Sequence, residues 1–154
     1  MKKILYLFVL LLIASQGFGQ KVNFSGTWKI NREKSQLGEE FSMAPNKVIV
    51  EQDKKTLSVE RHSTWQGEEF SFTDKFTLDG KECENPGWMD SVKKSTAVWA
   101  EKKLLKVTTK IPIQDGGEMT IVDEYTLQDG NLHIKTFASS GYGEMTEVYV
   151  FDRE

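Results

Sequence analysis

Glu118–Ala138 reads EMTIVDEYTLQDGNLHIKTFA, and this stretch decides the fold class. Met119, Ile121, Asp123, Tyr125 and Leu127 occupy alternate positions, the period of a strand with one face turned to a core. Asp129-Gly130 interrupts the alternation, and Gly accepts the positive φ that a two-residue hairpin turn demands. Asn131–Ala138 then resumes it. The stretch reads as a β-hairpin with strands Glu118–Leu127 and Asn131–Ala138.

The same pattern runs outward in both directions. Alternation predicts strands at Phe24–Ile30, Lys47–Gln52, Thr56–Trp65, Glu68–Leu78, Ser91–Ala100, Leu104–Ile113 and Glu144–Asp152, with a short extra one at Lys81–Glu84. Turn residues separate them: Asp53-Lys54-Lys55, Gln66-Gly67, Asp79-Gly80, Asp115-Gly116-Gly117 and Ser140-Gly141-Tyr142-Gly143. Arg32–Glu40 is the one stretch that suits a short helix. Successive hairpins make an antiparallel meander, and nine or ten strands in one open sheet leave two unpaired edges. Closing the sheet removes them. The expected fold is all-β: an antiparallel up-and-down β-barrel of 8–10 strands with little or no helix. A sandwich is the architectural alternative.

Length and composition bound the rest. A chain of 154 residues suits one domain. One Cys excludes an internal disulfide framework and a Cys-rich zinc module, and two His argue against a multi-histidine metal site. No metal or cofactor is expected. The formal charge of −3 argues against nucleic acid as a partner.

Residues 1–19 read as a bacterial secretory signal peptide, with Lys2-Lys3, an apolar run from Ile4 to Ala14, then Gly17 and Gly19 at the cleavage region. The apolar run is shorter than the ~20 residues of a membrane span. Cleavage is expected near Gly19/Gln20, leaving residues 20–154 as a single barrel domain, secreted or periplasmic. Without Lys2 and Lys3 the 20 cations fall to 18 against 23 carboxylates, a formal charge of −5. Cys83, alone in an oxidising compartment, is expected to be packed away from partners.

Both ends of the exported chain resemble one superfamily. Gly26-Thr27-Trp28 supplies Gly-x-Trp at the first strand, Val150-Phe151-Asp152-Arg153 closes the last strand, and the Met119–Lys135 hairpin precedes it. These features resemble the calycins, that is lipocalins and fatty-acid-binding proteins, and above all small exported bacterial proteins of lipocalin-like type. The resemblance implies a barrel whose closed end is plugged by Trp28, with Arg153 over the indole as a cation–π partner. Two departures matter. The 31–46 segment is too short for the two-helix lid of fatty-acid-binding proteins. Tyr149 stands where that family places its carboxylate-binding Arg, and the next aromatic position is Phe151, without a hydroxyl. A fatty acid would lose its expected anchor.

Parity nominates the interior. Leu57, Val59, Arg61 and Trp65 share a face, as do Phe70, Phe72, Asp74, Phe76 and Leu78, and Met145, Glu147, Tyr149 and Phe151. With the apolar faces inward, Arg61, Asp74, Tyr125, Tyr149 and Phe151 are the ligand-binding candidates, with Asp123 and Glu147 beside them. Buried charges need partners, water or a ligand. Parity therefore leaves two readings: a lumen with a polar spot, or a filled core in which Arg61 pairs with a carboxylate. His62 and His133 alternate outward with polar residues. Trp88-Met89, in a turn-rich loop, is the candidate protein contact.

Three functional classes follow. The leading one is an exported lipocalin-like binding protein for a small apolar or amphipathic ligand. The alternative is a protein-interaction module, such as a protease inhibitor or envelope accessory protein, with a filled barrel. An enzyme using Asp74, Asp123 and Glu147 has no spacing motif behind it.

Overall fold

Ten strands follow one another along the chain: β1 (Gly26–Ile30), β2 (Lys47–Gln52), β3 (Thr56–Trp65), β4 (Glu68–Thr77), β5 (Cys83–Pro86), β6 (Val92–Glu101), β7 (Leu104–Pro112), β8 (Glu118–Gln128), β9 (Asn131–Ser140) and β10 (Gly143–Arg153). The computed structural model describes residues 20–154, so the 1–19 segment lies outside the described residues. All ten strands belong to one antiparallel sheet in the order β4-β3-β2-β1-β10-β9-β8-β7-β6-β5. Its two end strands, β4 and β5, come back together, giving a nearly closed up-and-down barrel.

The closing seam is bridged by side chains. Asn85 on β5 accepts the Lys75 N–H at Oδ1 (2.8 Å) and donates from Nδ2 to the Lys75 carbonyl (3.0 Å). Its amide thus supplies the two bonds a neighbouring backbone would have made at Lys75, while the mouth half of β4 stays exposed. Cys83 stands on the same seam, half-buried, with its Sγ 3.3 Å from the Thr77 N–H.

Turn chemistry fixes the register. Asp129 and Gly130 take φ of 52° and 79°, the paired positive values of a type I′ hairpin, and Gln128 stands opposite Asn131. Alternate turns gather at the same end of the barrel. The 53–55, 102–103 and 129–130 turns lie at the floor; the 66–67, 87–91, 113–117 and 141–142 connections surround the mouth.

The floor is an aromatic core. Phe24, Trp28, Leu57, Leu105, Tyr125, Leu132 and Phe151 are fully buried there. Trp28 donates its indole N–H to the Phe24 carbonyl (2.9 Å), and Phe24 stacks on Trp99. The Arg153 guanidinium lies 4.2 Å from the centre of the Trp28 ring. The backbone conformation explains the glycine of Gly-x-Trp, and the Arg153 contact adds to it. A Cβ on Gly26, whose φ is +150°, would sit 2.5 Å from Arg153 Nη1.

The short helix expected over Arg32–Glu40 does not form; the described residues contain no helix. The 31–46 segment is instead an irregular strap. Gln36 forms an isolated bridge with Val148 of β10, and the Ser35 hydroxyl accepts the Val150 N–H. Partners on β10 and β1 take the backbone groups that a helix would have paired internally.

Candidate functional site

Above the aromatic floor the inward positions turn polar on strand after strand. Arg61 on β3, Asp74 on β4, Lys93 and Ser95 on β6, Thr109 on β7, Asp123 on β8, Thr136 on β9 and Glu147 on β10 all project inward, a polar girdle around the barrel. Register builds it. Thr136 stands opposite both Asp123 and Glu147, and Ser95 opposite Thr109. Arg61 stands opposite Phe72, so Asp74, two residues further on, is its diagonal neighbour.

Arg61 is the hub. It donates from Nη1 to Asp74 Oδ2 (3.1 Å), and from Nη2 to the Tyr125 hydroxyl (2.8 Å) and Asp123 Oδ2 (3.4 Å). Lys93 approaches from across the seam, its Nζ 2.6 Å from Asp74 Oδ1. Thr136 donates to Asp123 Oδ1 (2.7 Å). The two cations and two carboxylates balance each other, which is how a barrel interior tolerates four charges. Burial works against the Arg61 charge, but the carboxylates Asp123 and Asp74 favour it, and its pKa is raised. Burial pushes the Asp123 carboxyl above the usual carboxylate range, against the pull of Arg61 and Thr136. Burial likewise raises the Tyr125 and Tyr149 hydroxyls, so both stay protonated.

Glu147, only 1% exposed, does a separate job. Its carboxylate accepts the Gly38 N–H (2.8 Å), the Met43 N–H (3.0 Å) and the Tyr149 hydroxyl (2.7 Å). It thereby pins the strap to β10 at the mouth. Burial favours its neutral form, yet these donors overcome that and hold its pKa below the usual value.

A cavity of about 140 Å³ lies between girdle and mouth. Arg61, Asp74, Lys93 and Asp123 supply its polar wall; Met43, Pro45, Phe72, Ile111 and Ile121 supply its apolar wall. An adjoining groove of about 330 Å³ runs between the strap and β8–β10, lined by Phe41, Met43, Met119, Tyr142 and Met145. Larger depressions, near Trp99 and beside Arg153, lie on the floor side, away from the girdle's convergent polar groups.

The mouth itself is apolar and acidic. Trp65, Phe70, Phe72, Trp88, Met89, Phe41 and Tyr142 are all exposed there. The strap tip and the mouth loops carry eight carboxylates, Glu39, Glu40, Glu68, Glu69, Asp90, Asp115, Glu118 and Glu144. Among the described residues no Lys or Arg lies in the 38–43, 66–69, 87–91, 113–118 or 141–144 stretches. Lys110, below on β7, pairs with Glu118 (3.4 Å).

The candidates from parity therefore separate. Arg61, Asp74 and Tyr149 line the cavity. Tyr125 sits in the floor and sends only its hydroxyl up to Arg61. Phe151 is a correction: it is fully buried against Tyr149 in the floor, below the cavity wall. Trp65, Phe70 and Phe72 have inward parity but stand exposed, because the barrel is open at their level. Trp88 and Met89 rim the mouth, at 77% and 71% exposure. Lys93 and Asn85 escaped sequence reasoning. Lys93 lies in the expected Ser91–Ala100 strand, where its parity with Ser95 and Ala97 is the available signal; Asn85 falls in the turn-rich Asn85–Met89 loop.

Solved structures share this fold, among them two of unrelated description. One is a fatty acid binding protein of Schistosoma mansoni in complex with arachidonic acid, 19% identical with a TM-score of 0.53; the match covers 88% of this chain and 99% of that one. The other is a luciferase domain from the dinoflagellate Lingulodinium polyedrum, 10% identical with a TM-score of 0.53, covering 87% of this chain. This chain spans 43% of that protein's length. At these identities the likeness is one of fold. No family model and no curated protein matches the chain.

Proposed function

We propose that this chain is an exported, lipocalin-like binding protein that takes a small apolar or amphipathic ligand through the mouth of its barrel. One observation carries the reading: a cavity with one polar and one apolar wall opens onto an exposed aromatic rim. Its volume of about 140 Å³ is below the ~300–1,000 Å³ typical of drug-sized sites, so part of a longer ligand would lie in the adjoining groove. The family resemblance of the chain's two ends and the fatty acid binding protein fold support the same reading. Export rests on the character of residues 1–19. A binding role rather than catalysis fits the carboxylates: Asp74 and Asp123 are paired with Arg61, and Glu147 is occupied by the strap.

Native mass spectrometry of protein purified from its own host tests the proposal. A small molecule should accompany the folded chain and leave on denaturation, and Ile121→Trp, which fills the cavity, should abolish it. Identical masses for folded and denatured chains, with no ligand at any stage, would refute it. The exposed Trp88-Met89 loop favours a second reading, a protein-interaction module. That reading predicts ligand-free protein and a partner lost on Trp88→Ser.

A further inference from the structure

We infer that the mouth selects amphiphiles by charge, admitting cationic and neutral heads and turning away carboxylates. This rests on the binding reading above and adds the class of ligand. An amphiphile can enter in two orientations, and both disfavour an anion.

With the head inward, a carboxylate would meet Arg61 and Lys93. Both are already committed, Arg61 to Asp74 and Asp123, Lys93 to Asp74. The two cations are already neutralised by the two resident carboxylates, so a third carboxylate would leave one negative charge in excess in a buried site, and an uncompensated buried charge is costly. With the tail inward, the chain lies against Ile111, Ile121 and Met43, and the head stays among the carboxylates of the mouth, of which, among the described residues, only Glu118 has a cation, Lys110, beside it. A carboxylate head is repelled there. A quaternary ammonium is attracted twice, by those carboxylates and by the exposed indoles of Trp65 and Trp88. The aromatic rim is the feature that turns an acidic surface into a receptor for an organic cation.

Three ten-carbon amphiphiles differing in the head separate the possibilities: decyltrimethylammonium, 1-decanol and decanoate. Each is titrated as monomer at pH 7.5, read by tryptophan fluorescence and by calorimetry. In roughly 20 mM salt the cation should bind about tenfold or more tightly than decanoate, with the alcohol between them, the lower end of electrostatic enrichment at a charged cleft. The ratio should shrink severalfold in 1 M salt, where the Debye length is about 3 Å, and what remains is the short-range share of the indoles. The exposed triple substitution Glu68→Lys, Glu69→Lys, Asp115→Lys should narrow it severalfold, with circular dichroism confirming the fold. Decanoate binding as tightly as the cation, or a preference that ignores both salt and charge reversal, overturns the selectivity while leaving the binding reading intact. If none of the three binds, both fall together.

Discussion

Replacing Arg61 by Met removes the hub of the polar girdle while keeping most of its apolar bulk. The two carboxylates respond differently. Asp74 keeps Lys93 at 2.6 Å. Asp123 keeps only the Thr136 hydroxyl and lies buried below the mouth. Breaking a buried pair from one side costs about 3–5 kcal/mol, and the lower end applies here because only one carboxylate is stranded. The loss depends on pH. Burial already raises the Asp123 pKa in the folded state, and losing Arg61 raises it further. A carboxyl raised in this way costs nothing below its unfolded pKa, where both states hold the proton. The cost grows by about 1.4 kcal/mol for each pH unit between the unfolded and the folded pKa, and is complete above the folded one. Urea unfolding of Arg61→Met should therefore show a deficit of about 3 kcal/mol at pH 7.5, a midpoint shift of roughly 1.5 M at a slope near 2 kcal/mol/M. The deficit should be clearly smaller at pH 4.5. Adding Asp123→Asn should recover most of the loss at pH 7.5 and flatten the pH dependence. A variant with wild-type midpoints at both pH values would rule this account out, since the guanidinium would then contribute no more than a solvated charge.

Four further outcomes follow from the same geometry. Trp28→Ala should lose about 3–5 kcal/mol of stability, the cost of removing a buried large aromatic, whereas Arg153→Ala should lose only about 0.5–1 kcal/mol, as for an exposed cation–π contact; chemical denaturation measures both. Glu147→Gln should loosen the strap, seen as faster hydrogen exchange at Gly38 and Met43 with the floor amides unchanged. Because the Glu147 pKa is lowered in the folded state, the wild-type strap should lose protection as pH falls below the ordinary carboxylate value and through the folded one. Asn85→Leu should leave the Lys75 backbone unpaired at the seam, destabilise by about 1–3 kcal/mol and speed exchange of the Lys75 amide. N-terminal sequencing of exported protein should begin near Gln20; a mature chain that keeps Met1–Gly19 would end the case for export.

The meander was legible in the chain's one-dimensional pattern. β2 and β3 have the predicted limits Lys47–Gln52 and Thr56–Trp65, and most other strands end within a residue or two of expectation. The reason is local: alternation and positive-φ turn residues act over a few positions and need no distant partner. Parity likewise turned Arg61, Asp74, Asp123 and Glu147 inward, because period two leaves only two faces.

Whatever depends on which residues meet across the barrel was settled only in three dimensions. The strap carried a plausible helical stretch, yet Val148, Val150 and Glu147 claim its backbone groups. Asn85 became the bridge across the seam only because β4 and β5 are brought side by side. Phe151 and Tyr149 share a face, but their heights along the axis place one in the floor and the other at the cavity. Trp65 and Phe76 are of inward parity on adjoining strands; one is exposed and the other buried, because the barrel is filled at one end and open at the other. Alternation specifies the side of a sheet. It carries no information about depth within a closed barrel, which is set by strand tilt and by the side chains arriving from the opposite wall.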